Sequence, residues 1–523
     1  VYCQYAHESN AKIFQQDGFS PLYDEGWNFE TIRKENLFLQ KVGNCEMDES
    51  LRERFKAEVR AMRAWTYLGM TMTFGKVPLI TEVLDYNSPN IPRDEVSVIR
   101  DFIMKELTEA AAILPEKYAG GYPNEKGRIT KYACLSLKAR AALYFGDYAL
   151  AESTAKEVMD KGGFSLFKIS SLSDAQKKEA EEMSLYIDFA EKGIDKDEFV
   201  KGMFNYEALW HTENANPDNP EYIMTRQYAA SSWDYQDMTR YTSMRPNQLG
   251  GWSSVTPTQN LVDAYWGVDG HSVPQLPTPE ERAKAYNQIK ADLDAYQKPE
   301  GEAKFIAFCQ EKIKNGTLKD YKYIQEFRNR DSRMYVSILM PFKSWYESNY
   351  GDKFVYEWIK NGNNESKTGF NFRKMLSLEN DANGDGQATG DYPCIRYAEI
   401  LLIYAEAHTQ TTGYDAATEA ALNQLRDRCG MPDVPSGLSK EEGLKLIQNE
   451  RRIELAGEGF RGDDMTRYSD DYWKEHMNNV PIMTPDGDTE LTMKWSSRMR
   501  LKPIPQTAID LNPLLAGDQN PGY

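Results

Sequence analysis

The stretch that decides the fold is Arg396 to Gly413, RYAEILLIYAEAHTQTTG. Tyr397, Ile400, Tyr404 and Ala407 recur at helical spacing, and Gly413-Tyr414-Asp415 breaks the run before Ala417, Ala421 and Leu425 resume it and Gly430 stops it. Far upstream the same texture appears: Cys134, Leu137, Ala141 and Tyr144, a turn at Gly146-Asp147, then Tyr148, Ala151, Ala155 and Val158. Each is a helical hairpin of the tetratricopeptide kind, whose repeat is about 34 residues. More than two hundred residues lie between the copies, so the hairpins form a non-contiguous scaffold rather than a simple solenoid.

Working outward, Leu51 to Phe74 places Phe55, Val59, Met62, Trp65 and Met72 on one helical face, beside a small-residue strip of Ala57, Ala61 and Ala64. Gly75 and Pro78 end that helix, and EVLDYNSPNIPRDE follows as a loop before a new helix near Val96. The organisation expected is mainly α: a helical scaffold over 1–165, a loop-rich, aromatic-rich insertion over 166–393, and further hairpins with a closing tail over 394–523. The insertion holds two aromatic crowds. One is Trp233, Tyr235, Tyr241 and Trp252; the other is Trp345, Tyr346, Tyr350, Tyr356 and Trp358. With aromatics at 12%, some rings are expected on display, whereas Trp65 and Trp210 sit in settings that suit a core.

Composition excludes several classes. The balance of 62 basic against 80 acidic residues gives −18, which opposes binding to phosphate backbones and anionic membranes. Six cysteines are widely separated with no C-x-x-C pair, so no zinc knuckle or redox dithiol is legible, and Cys134 reads as a small buried hydrophobe. No apolar run is long enough to span a bilayer, and the opening VYCQYAHESN is no signal peptide. The start reads as internal, with any lipidated cysteine upstream and Cys3 a poor substitute.

Five stretches, in order, carry a family resemblance: AEVRAMRAWTYLGMTMTFGKVPLIT (57–81), RITKYACLSLKARAALYFGDYALAESTAKEVMDKGGFSL (128–166), SSVTPTQNLVDAYWGVDG (253–270), DYPCIRYAEILLIYAEA (391–407) and NERRIELAGEGFRGDDMTRY (449–468), with LKPIPQTAIDLNPLLAGDQNPGY (501–523) as a closing signature. Together they resemble the SusD/RagB family of outer-membrane nutrient-binding lipoproteins. The resemblance implies a surface-exposed protein that captures an oligosaccharide or polysaccharide, or in some members a peptide, and caps a SusC-like TonB-dependent transporter. It needs no cofactor. It also implies a ligand surface that includes the loop after FGKVPL, here Tyr86, Asn87 and Asn90, with aromatics from the insertion.

Neutral sugars are gripped by flat rings against C–H surfaces and by amide and hydroxyl hydrogen bonds. Trp233, Tyr235 and Trp252 are therefore the favoured insertion residues. Asp381, Asn383 and Asp385 keep the D-x-N-x-D-G spacing of a calcium loop, but Tyr392 occupies the twelfth position where a bidentate Glu belongs. A structural calcium and a solvated Asn/Gly turn both remain open there. The block Glu450, Arg451, Arg452, Glu454, Glu458, Arg461, Asp463 and Asp464 reads as an ion-pair network rather than an acid/base site. Hydrolase and phosphate-loop motifs are missing, and none of His7, His211, His271, His408 and His476 is paired at metal spacing. The rivals are a glycoside hydrolase, which needs only two carboxylates roughly 5 to 10 Å apart, and an intracellular tetratricopeptide scaffold.

Overall fold

The computed structural model describes residues 16–85, 87–119, 125–228, 251–346, 354–376 and 389–523, together with the backbone of the strand Cys3–Tyr5. The chain is mainly helical. The principal helices are α1 (Phe29–Lys41), α2 (Glu49–Phe74), α3 (Val96–Ile113), α4 (Lys131–Tyr144), α5 (Tyr148–Lys161), α6 (Lys196–Ala208), α7 (Pro279–Ala295), α8 (Tyr397–Thr411), α9 (Ala416–Arg428), α10 (Lys440–Glu454) and α11 (Phe460–Arg467). Their starts follow local chemistry. Asp48, Thr130, Asp147 and Asp415 each accept backbone N–H bonds as N-caps, and Thr278 and Ser439 complete capping boxes with Glu281 and Glu442.

Both hairpins read from the sequence are present, as α4–α5 and α8–α9, and they meet in space. α5 packs on α8, and Arg140 donates to both carboxylate oxygens of Glu399 at 2.6 Å and to the Cys394 carbonyl at 2.9 Å. His408 adds a second tie, lying 2.7 Å from Glu152 of α5 and 3.1 Å from Asp415 at the α9 cap. Two faces of α8 are thus consumed by packing, which is why nearly all of its residues are buried.

On α2 the small-residue strip is the core. Ala57, Ala61, Ala64, Tyr67 and Phe74 are fully enclosed, while Met62 is 38% exposed and Trp65 only partly covered. Of the larger face, Met72 is buried with the strip while Phe55, Val59, Met62 and Trp65 stay partly open, because alanines let neighbouring backbones approach to the short end of helix spacing. Cys134 is buried as expected, and burial pushes its thiol up to about 12.

A second core gathers the middle of the chain, and it takes in three rings of the second aromatic crowd. Trp345, Tyr356 and Trp358 are interior, and Trp358 packs edge-to-face on Tyr286, which also meets Tyr323 edge-to-face and Phe342 at a tilt. Short antiparallel ladders knit this region. β1 (Tyr222–Arg226) pairs with β3 (Tyr392–Arg396), and β2 (Val255–Pro257) lies between them in sequence and pairs with Cys3–Tyr5. Gly202 on α6 touches the turn after α9, where a Cβ would lie 2.2 Å from the Cys429 carbonyl carbon.

Candidate ligand-binding elements

The loop after α2 is built to hold its shape. Gly75 turns the chain at φ +71°, a region that favours glycine, and the Val77–Asp94 bridge closes the loop at its base. The Tyr67 hydroxyl donates to the Ile80 carbonyl at 2.9 Å and accepts from its N–H at 2.8 Å. Asn36 Nδ2 reaches the carbonyls of Ile80 and Glu82, and Arg63 braces Asn36 at 2.7 Å while pairing with Glu106 at 2.7 Å. At the far side Arg93 binds Asp518, Asn520 and the Lys76 carbonyl, and Asn512 holds the Ile91 carbonyl. Between these anchors Asp85 Oδ1 accepts from Asn87 N at 2.8 Å, shaping the tip. Asn87 and Asn90 are exposed on a backbone fixed from both ends. Tyr86 lies outside the described residues.

Trp252 is 37% exposed and stands directly before Ser253, which holds φ at +47°. A non-glycine residue there carries strain on the order of 1–3 kcal/mol, tolerated only where surroundings over-determine it. Those surroundings are visible. Ser253, Ser254, Thr256 and Thr258 are buried, and Thr368 Oγ1 donates to Thr256 Oγ1 at 3.4 Å. Upstream, Asp391 accepts from Tyr228 N at 3.2 Å, so the chain leaves β1 from a fixed point before residues 229–250. Trp233 and Tyr235 fall in that stretch, outside the described residues, as do Asp381, Asn383 and Asp385. Among the described residues no cluster of three His, Cys, Asp or Glu could hold a metal.

The charged block belongs to the interior. Arg396 donates to Glu221 and Glu454 at 2.8 Å and to Glu458 at 2.7 Å; Arg333 reaches Glu450 at 2.7 Å and Glu454 at 3.0 Å; Arg428 binds Glu221 and Glu454. Lys374 pairs with Glu458 at 2.6 Å, and burial pushes its ammonium down to about 8 despite that partner. Burial would raise the Glu454 carboxyl, but Arg428, Arg396 and Arg333 hold it well below the usual range. Enclosed carboxylates of this kind cannot reach a glycosidic bond. Their work is to lock β1 and β3 onto α9 and α10.

Sequence reasoning missed a surface groove of about 690 Å³ beside α7, lined by Gln275, Gln288, Gln325, Lys284 and Tyr321. Three glutamines scattered over fifty residues give no local signal, since only the fold brings them together.

With this geometry in place, the sequence profile of the SusD family matches residues 220–523, more than half of the chain. The chain belongs to the SusD family. A SusD-like protein of Formosa agariphila, P38, is 22% identical over 475 residues, covering 88% of this chain and 73% of that relative. A solved SusD-like protein from Bacteroides fragilis superposes with a TM-score of 0.73 at 24% identity, covering 100% of this chain and 92% of the other. A solved laminarin-binding SusD-like protein superposes at 0.63 with 21% identity over 100% and 92%. At such identities the likeness establishes the SusD fold, and the mainly helical architecture expected from the sequence is the one observed. Among the described residues no helix is long and apolar enough to cross a membrane.

Proposed function

We propose that this SusD-family chain captures an oligosaccharide or polysaccharide without cleaving it and delivers it to a SusC-like TonB-dependent transporter. The observation that carries the reading is Trp252, an indole left partly open to solvent on a strained Ser253 that a buried serine and threonine base holds in place. A pre-set ring loses little freedom when a sugar stacks on it. Asn87 and Asn90 supply amides from the braced loop, Tyr86, Trp233 and Tyr235 belong to the same proposed surface, and the stretch 166–393 is its carrier. Outer-membrane association through a lipid anchor upstream of Val1 is part of this reading, supported by family membership.

The test is titration of the purified chain with laminarin and a panel of other polysaccharides, by affinity electrophoresis and calorimetry. Binding without release of reducing ends is expected, and Trp252→Ala should weaken it by about 1–3 kcal/mol, the range of a lost stacking ring. Release of reducing ends, abolished by a single Asp or Glu substitution, would overturn the non-catalytic reading. Co-purification of the full-length protein with an outer-membrane transporter tests the delivery step, and its failure in mild detergent would count against it.

A further inference from the structure

Between α2, α4 and α11 lies an open cavity of about 110 Å³, walled by Trp65, Gly69, Arg140, Arg451, Asp463 and Arg467 with apolar side chains beneath. Its charges are nearly all spoken for. Arg140 is closed on Glu399, Arg467 on Glu406 and Asp464, and Arg451 Nε on both oxygens of Asp464. Two polar groups are left over. Arg451 is 3% exposed, yet its Nη1 has no hydrogen-bond partner among the described residues. The Asp463 carboxylate enters no hydrogen bond or ion pair among them; burial first, then the neighbouring Asp464, pushes it up to about 6 against the pull of the three arginines. Asp463 is half-buried and keeps an open acceptor on the cavity, whereas a buried donor such as Arg451 Nη1 is costly unless something accepts from it.

The chemistry of that bridge is restricted. An anion would meet Asp463 and Asp464, and a cation would meet three guanidinium groups. A hydroxyl does both jobs, accepting from Arg451 Nη1 and donating to Asp463. Trp65 adds a partly exposed indole at the rim, while the Phe460 ring is covered by Arg140 and Arg451, with Cζ 5.0 and 5.6 Å from its centre. We propose that this cavity is a second binding site, separate from the Trp252 element, that takes the edge of one neutral sugar ring through two adjacent hydroxyls. The proposal does not depend on which polysaccharide the Trp252 element prefers.

Gly69 supplies a clean test. It sits inside α2, and a Cβ built there meets nothing within 4 Å, so Gly69→Leu fills the cavity while improving helix propensity. Asp463→Leu removes the acceptor at a half-buried position that makes no ion pair among the described residues, so it too should fold. The probes are D-glucose, D-galactose and D-mannose, titrated by saturation-transfer NMR into the Trp252→Ala chain so that the first site contributes nothing. At least one hexose should bind with a dissociation constant on the order of 1 mM, as expected for so small a ligand. Each cavity variant should weaken it about tenfold or more while leaving polysaccharide binding by the Trp252-intact chain unchanged. Absence of binding by all three hexoses, or binding indifferent to both cavity variants, would overturn the proposal; loss of polysaccharide binding in Trp252→Ala tests the other site alone.

Discussion

Glu454→Gln is the sharpest perturbation of the scaffold. Glu454 is fully buried and accepts from Arg396 at 2.8 Å, from Arg333 at 3.0 Å and from Arg428, all three of them also interior. The amide keeps the side-chain volume, so no cavity forms, but it removes the charge that three enclosed guanidinium groups share. Removing one partner from a buried ionic cluster costs about 3–5 kcal/mol, because the remaining charges stay desolvated. Against a total stability of about 5–15 kcal/mol, that is a fifth or more. Equilibrium urea unfolding followed by tryptophan fluorescence should show a lowered midpoint with an unchanged slope. The pH profile gives an independent arm. Since the folded carboxyl titrates well below its unfolded range, its contribution is fully present above about pH 4.3 and is lost as pH falls through the folded value. Glu454→Gln should flatten that acid-side loss. A destabilisation under about 1 kcal/mol, the size of an ordinary hydrogen bond, would refute the idea that this cluster locks the strands to the helices.

Three further outcomes are expected. His408 is pulled down by burial but raised overall by Glu152 and Asp415, so its contribution is fully present below about pH 6.5 and is lost as pH rises through the higher folded value; His408→Gln should erase up to about 1 kcal/mol of pH-dependent stability across that window in thermal melts. Gly202→Ala should cost about 1–3 kcal/mol by overpacking against the Cys429–Gly430 backbone, and an unchanged urea midpoint would show that the contact relaxes freely. Arg63→Met should release the brace on Asn36 and loosen the loop that carries Asn87 and Asn90; faster amide exchange at Ile80 to Leu84 than in the parent chain is the readout, and unaltered exchange would mean that Tyr67 and the other anchors hold the loop without Arg63.

What the sequence by itself determined is local. Helices at 131–144, 148–161, 397–411 and 416–428 follow from apolar spacing, capping residues and glycine stops within a few residues of each other, because helix formation is set by bonds between positions four apart. The ordered signatures likewise led to the SusD family without reference to any contact.

Only the tertiary structure decided what depends on distant partners. The turn-rich setting of Trp345, Tyr356 and Trp358 resembled that of Trp252, yet the first three are core and the last is partly open, because burial depends on which remote elements arrive to cover a ring. On α2 the alanine strip outranked the larger apolar face for the same reason: the neighbouring helices chose the side they could approach most closely. The charged block was legible as a network, but its key partners, Arg396 to Glu454 and Arg333 to Glu450, lie 58 and 117 positions apart. The leftover pair of Arg451 Nη1 and Asp463 had no sequence signature, since which donor and acceptor stay unpartnered is set by the remote charges that the fold brings to Arg140, Asp464 and Arg467.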